Sequence, residues 1–269
     1  METSWLSAAV VSLLKLGGFV KVTLKYLLYL PKNYEQKPSW PLVLFLHGQG
    51  ECGDDLELIK KHGLPKLIAA GQEFPFIIVA PQCPSNRWWH PSELTALLDE
   101  IVEKFKVDQD RIYVTGMSMG GYGTWALAAH TPHRFAAIVP ICGGGYPSRM
   151  KRIVHLPVWV FHGAHDPAVP LEMSQMLVEA LKRHSGNVQF TVYPEAEHDA
   201  WSETYANPQV YRWLLDQKRE PTADVPDERT GRKGRLSRTR TIRVDSPSAT
   251  TAPPVQPDSS TAPVPERRR

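Results

Sequence analysis

The sequence predicts an α/β fold: a mostly parallel sheet with helices on both faces. Two observations carry this. Short, continuous apolar runs of strand length recur along the chain, and amphipathic helical patterns fall between them. Val20–Leu30 is strand-like, rich in Val, Thr, Tyr and Leu, and Pro31 ends it. Pro41–Leu46 is apolar without a break and is closed by His47-Gly48, as in a strand buried on both faces. Comparable runs are Phe76–Ala80, Arg111–Thr115, Phe135–Ile141, Val158–Phe161 and Val188–Tyr193. Ser92 can cap a helix over Glu93–Phe105, where Leu94, Leu97, Leu98, Ile101, Val102 and Phe105 recur at helical spacing. Helical runs follow at Tyr122–His130, Leu171–Arg183 and Pro208–Leu215. Together these elements predict one domain over residues 19–218.

The flanks read differently. Residues 1–18 hold the apolar run Trp5–Leu14, interrupted by Lys15 and Gly17-Gly18. Glu2 and the lack of a small-residue cleavage site argue against a secretory signal, and the run is short for a spanning helix. The segment reads as an amphipathic or poorly ordered leader, with secretion or membrane association as alternatives to a cytoplasmic default. From residue 219 to 269 the composition turns to Pro, Ser, Thr and Arg without an aromatic residue, which cannot bury enough apolar surface to offset ordering. A disordered tail is expected there. It is either a solvated appendage or a tether to an anionic partner through Arg232–Arg243 or Arg267–Arg269.

Charge follows the same division. Residues 220–269 carry ten Lys+Arg against seven Asp+Glu, which equals the net +3 of the whole chain, so residues 1–219 are formally neutral. A neutral body does not suit nucleic-acid binding. Three irregularly spaced cysteines, Cys52, Cys83 and Cys142, make neither a disulfide framework nor a metal site. Neither metal nor cofactor is expected, and oligomeric state is left open.

The chemistry is concentrated in Arg111–Gly121, which contains Gly116-Met117-Ser118-Met119-Gly120. A buried strand, G-x-S-x-G and a helix-forming run place a serine hydroxyl on a tight, strained turn at the positive end of a helix. A serine hydroxyl is a weak nucleophile and needs a base. In the chain order nucleophile, acid, base, the remaining histidines are His184 and His198. His184 ends a helix, where histidine commonly serves the dipole. His198 lies just past a strand, in the loop Tyr193–Asp199, and is the expected base. Asp166, in the turn after Val158–Phe161, is the expected acid, since Glu195, Glu197 and Asp199 sit too close to His198 in sequence. His162 and His165 read as packing or solvent residues. The developing oxyanion would be met by the backbone N–H of Met119 and that of Gln49 or Gly48, in the loop His47-Gly-Gln-Gly50.

Three blocks resemble one branch of the α/β-hydrolases. They are His47-Gly-Gln-Gly-Glu-Cys-Gly-Asp-Asp55, Gly116–Trp125 and Phe161–Pro170. The branch is the phospholipase/carboxylesterase-like group often labelled predicted peptidases, related to dienelactone hydrolases and feruloyl or acetylxylan esterases. The resemblance implies a Ser-Asp-His esterase. It departs from dienelactone hydrolases proper, which use Cys where this chain has Ser118, and it has Cys52 where Arg is expected after Glu51. About fifteen residues separate Ile141 from Pro157, too few for a lid domain, so an open site is expected. Trp88, Trp89 and Trp201 are candidate substrate contacts, or core residues capping the sheet. The function expected is hydrolysis of short-chain, aryl or acyl-sugar esters, small or polymer-borne, through an acyl-enzyme. A serine peptidase on this fold and a non-catalytic binding protein are the alternatives.

Overall fold

The structure is a computed structural model that describes residues 6–16 and 18–219. Eight strands form one sheet: β1 (Leu6–Leu16), β2 (Gly18–Tyr29), β3 (Trp40–Leu46), β4 (Ile77–Pro81), β5 (Val107–Met117), β6 (Ala137–Ile141), β7 (Val158–Gly163) and β8 (Val188–Tyr193). Their spatial order is β1-β2-β4-β3-β5-β6-β7-β8. β2 pairs antiparallel with β1 and β4, and every pairing from β4 to β8 is parallel.

Six α-helices accompany the sheet: α1 (Gly63–Ala69), α2 (Pro91–Lys104), α3 (Met119–His130), α4 (Leu171–Arg183), α5 (Ala200–Ala206) and α6 (Pro208–Asp216). The alternation of side chains along a strand sorts the core into two layers. Leu42, Leu44 and Leu46 of β3 face a cluster that includes Leu97 and Leu98 of α2, Trp125 of α3 and Leu177 of α4. Val43 and Phe45 face the other, with Leu64 and Ile68 of α1, Tyr205 of α5 and Leu214 of α6. A strand apolar on both faces is thus explained by helices on both sides.

Several expectations shift. The segment read as a leader supplies edge strand β1, which runs back along β2 from Leu16↔Gly18 to Leu6↔Leu28. Its Val and Leu residues suit a hairpin arm. Ser92 does not cap α2; His90 is the cap residue and Pro91 takes the first turn, where its missing N–H costs nothing. The tail expectation lies outside the described residues beyond Arg219, which is itself bonded to Asp110. No helix among the described residues is long and apolar enough to cross a membrane.

The strand order reverses direction at β3. The chain proceeds from β3 to β4 on one side, then to β5 through β8 on the other. In such sheets the crevice beyond the carboxyl ends of the two central strands is where ligands bind. β3 runs into His47–Gly50 and β5 into Ser118 at that place.

Candidate active site

Ser118 stands alone between the last residue of β5 and the first of α3, with φ 54° and ψ −120°. A non-glycine residue there carries strain of about 1–3 kcal/mol, held by the packing around it. The glycine that follows explains how it is held. A Cβ on Gly120 would lie 1.9 Å from the carbonyl oxygen of Leu46, so only glycine lets α3 start against the end of β3. The N–H groups of the first helical turn, beginning with Met119, have no acceptor within the helix. Their dipoles favour negative charge beside Ser118.

His198 and Asp166 come from the ends of β8 and β7. His198 Nε2 lies 2.9 Å from Ser118 Oγ, and His198 Nδ1 lies 2.7 Å from Asp166 Oδ2. A carboxylate only accepts, so Nδ1 carries the proton and Nε2 is free to accept from Ser118. The other carboxylate oxygen accepts from the N–H of Ala168 at 2.9 Å and of Val169 at 2.8 Å. The turn that carries Asp166 is therefore also what aims it. Gly163 matters to the placement of His198: a Cβ there would meet the Glu197 carbonyl oxygen at 2.0 Å, one residue before it. The rival acid Asp199 caps α5 through Ser202 N–H, and His184 sits at the C-cap of α4. His165 is exposed.

Sequence reading missed the role of His162. It is fully buried, its Nε2 lies 2.9 Å from the Val169 carbonyl oxygen and 3.3 Å from Asp166 Oδ2. Its Nδ1 lies 2.7 Å from Ser174 Oγ. Burial pulls its pKa below the ordinary histidine value, against the opposing influence of the Val169 carbonyl and Asp166. A neutral ring with its proton on Nε2 braces the loop that carries Asp166. The available signal was a histidine inside an otherwise apolar buried strand.

The loop after β3 is built with similar care. His47 is fully buried; its Nε2 accepts from the Cys83 N–H at 2.9 Å and its Nδ1 donates to the Gly48 carbonyl at 2.6 Å. Both nitrogens are thus used by a neutral ring, and burial lowers its pKa to about 4. Trp89, a candidate substrate contact or core residue, is 7% exposed and donates its indole N–H to the His47 carbonyl at 3.1 Å. Its ring packs behind this loop, edge to face with the His47 imidazole at 4.8 Å. Glu51 is also buried, and its Oε2 has no hydrogen-bond partner among the described residues. Burial pushes its carboxyl above the ordinary value, partly opposed by His62.

Gly48, Gln49 and Met119 line one cavity of about 440 Å³ together with Ser118 and His198. Trp88 and Trp201 line it too. Trp201 meets His198 edge to face at 5.1 Å and His62 at 5.6 Å. Trp88 is 60% exposed and meets Tyr122 edge to face at 5.8 Å. Of the three tryptophans, these two line the cavity that holds Ser118.

Cys142, Asp166 and His198 bring possible metal-ligand atoms within 4.8 Å of one another. The set fits a metal poorly. Burial holds the Cys142 thiol far above its ordinary pKa, and the other two atoms are engaged with each other and with Ser118. All three cysteines are free thiols.

Residues 89–212 match the dienelactone hydrolase family. Feruloyl esterase C of Emericella nidulans is 27% identical over 172 residues, covering 60% of this chain and 62% of that protein. Poly(3-hydroxyalkanoate) depolymerase C of Paucimonas lemoignei is 31% identical over 123 residues, covering 39% of this chain and 28% of that one. Among solved structures, a thermostable esterase is 33% identical with a TM-score of 0.68, covering 80% of this chain and 63% of that chain. The chain thus spans less than two thirds of each of these relatives. The likeness to the solved esterase shows the α/β-hydrolase fold.

Proposed function

We propose that the protein is a serine hydrolase of carboxylic esters, acting through an acyl-enzyme. The observation that carries this is the continuous chain Ser118 Oγ–His198 Nε2, His198 Nδ1–Asp166 Oδ2, ending on a serine whose backbone is strained to present it. Ser118 Oγ attacks the ester carbonyl while His198 takes its proton. The oxyanion that forms is met by the N–H of Met119 and by that of Gln49 or Gly48, each such donor contributing about 2.7–4 kcal/mol. His198 then returns the proton to the departing alcohol, and a water activated by the same imidazole releases the acid. Asp166 keeps the proton on Nδ1 and stabilises the imidazolium.

The relatives named for esters of aromatic acids and of hydroxyalkanoate polymers support ester substrates over amides. Trp88 and Trp201 at the mouth suit aryl or acyl-sugar esters, whose rings stack on indole. A fluorophosphonate probe tests the nucleophile without presuming a substrate. Labelling confined to the peptide holding Ser118, and lost in His198→Ala, is expected. Labelling elsewhere, or none on folded protein, overturns the reading.

A further inference from the structure

A second cavity, of about 490 Å³, lies beside the catalytic one and shares with it only Trp88 and Tyr122. Tyr122 follows Ser118 by one turn of α3, its N–H donating to the Ser118 carbonyl at 3.1 Å. The edge-to-face pair of Tyr122 and Trp88 is therefore the partition between Ser118 and this second space. Trp88, at 60% exposure, is the freer of the two rings.

The walls are chemically uneven. Trp125, Met150 and Met173 give an apolar interior, and the Trp125 indole N–H has no acceptor among the described residues. Tyr146, 70% exposed, stands at the rim with the Arg149 guanidinium over its ring at 5.3 Å. Arg149 is the single charged residue of the lining. It sits in the short helical turn Pro147–Arg152, which also carries Lys151 and Arg152 and no acidic residue. None of the three cations has an ion-pair partner among the described residues. An apolar pocket with an aromatic rim and one uncompensated guanidinium is complementary to an apolar group that ends in an anion.

We propose that this cavity is a substrate subsite for an alkyl or aryl group ending in a carboxylate, entered from Ser118 past Trp88. The preferred ester is then a half-ester of a dicarboxylic acid, with its free carboxylate at Arg149. This rests on the esterase reading for its kinetic arm but not for its binding arm.

The kinetic arm compares 4-nitrophenyl half-esters of adipate, suberate and sebacate with neutral 4-nitrophenyl esters of the same acyl lengths. The ratio of kcat/KM, anionic over neutral, is expected to exceed one at one or more lengths. Arg149→Gln should lower that ratio about fivefold, the upper range for a solvent-exposed ion pair, and so should raising salt. A ratio below one at every length, or one indifferent to Arg149→Gln, overturns the proposal. The binding arm uses the Ser118→Ala protein and 4-phenylbutyrate, followed by ligand-observed NMR. Binding that weakens when Arg149→Gln is added supports the subsite even if no ester is turned over, in which case the esterase reading alone has failed. Turnover of neutral esters, with neither carboxylate preference nor carboxylate binding, sinks the subsite alone.

Discussion

Replacing Asp166 with Asn changes one atom of the triad while leaving its frame in place. The carboxylate oxygen bonded to Ala168 and Val169 is fixed by two N–H donors, so the amide oxygen must occupy that position. The amide nitrogen then stands 2.7 Å from His198 Nδ1, where it can only donate. His198 is driven to the tautomer with its proton on Nε2, and it has nothing left to accept from Ser118. The lost attraction between carboxylate and imidazolium at that distance is about 6 kcal/mol at an effective dielectric of about 20. That corresponds to about four decades of rate, in line with the effect of the same exchange in a serine triad. The expected result is a fall in kcat of about 10⁴ on a short-chain 4-nitrophenyl ester, with KM little changed and a thermal midpoint close to the parent's. A folded variant that loses less than tenfold would show that Asp166 only shapes its turn.

Gly163→Ala should be more damaging to fold than its size suggests, because the new methyl meets backbone and not a movable side chain. A shift of the His198 loop by about 1 Å is expected to cost about 10² in kcat, together with about 1–3 kcal/mol of stability, read by urea unfolding. His162→Phe keeps an aromatic ring there, slightly larger, and removes the brace on the Asp166 loop. About 1–3 kcal/mol of stability should be lost, and kcat should fall about tenfold at unchanged KM, measured by denaturation and steady-state kinetics. His47 makes stability depend on pH. Its folded pKa of about 4 lies below the unfolded value, so between about 4 and 6.5 the unfolded chain binds the extra proton and stability falls as pH drops. Glu51, raised by burial, acts with the opposite sign. The difference in urea midpoint between the parent and His47→Gln should therefore shrink on acidification from pH 7 to pH 4; an unchanged difference would contradict a neutral buried His47.

Much of the site was legible because its chemistry depends on chain order and local geometry. G-x-S-x-G after a buried strand needs glycines at contacts where backbone meets backbone, and Gly120 against Leu46 is such a contact. Asp166 and His198 could be found from their places after β7 and β8. What escaped was long-range support. The apolar run around His162 marks it as buried but does not announce Ser174, and His47 finds its acceptor role only through Cys83, from the loop after β4. Trp89 illustrates the same limit: its neighbour Trp88 is exposed while it is buried against His47, and adjacent tryptophans give no sign of which points inward. Edge strand β1 was masked by a run whose apolar residues suit a helix as well as a hairpin arm.

Hydrolysis of 4-nitrophenyl esters from acetate to palmitate, by the parent protein and by Ser118→Ala side by side, bears most directly on the central claim. Turnover by the parent and a loss of about 10⁶ in the variant, down to the uncatalysed background, is the expected result. Equal turnover by both proteins, or none from a folded parent across the whole series, would contradict it.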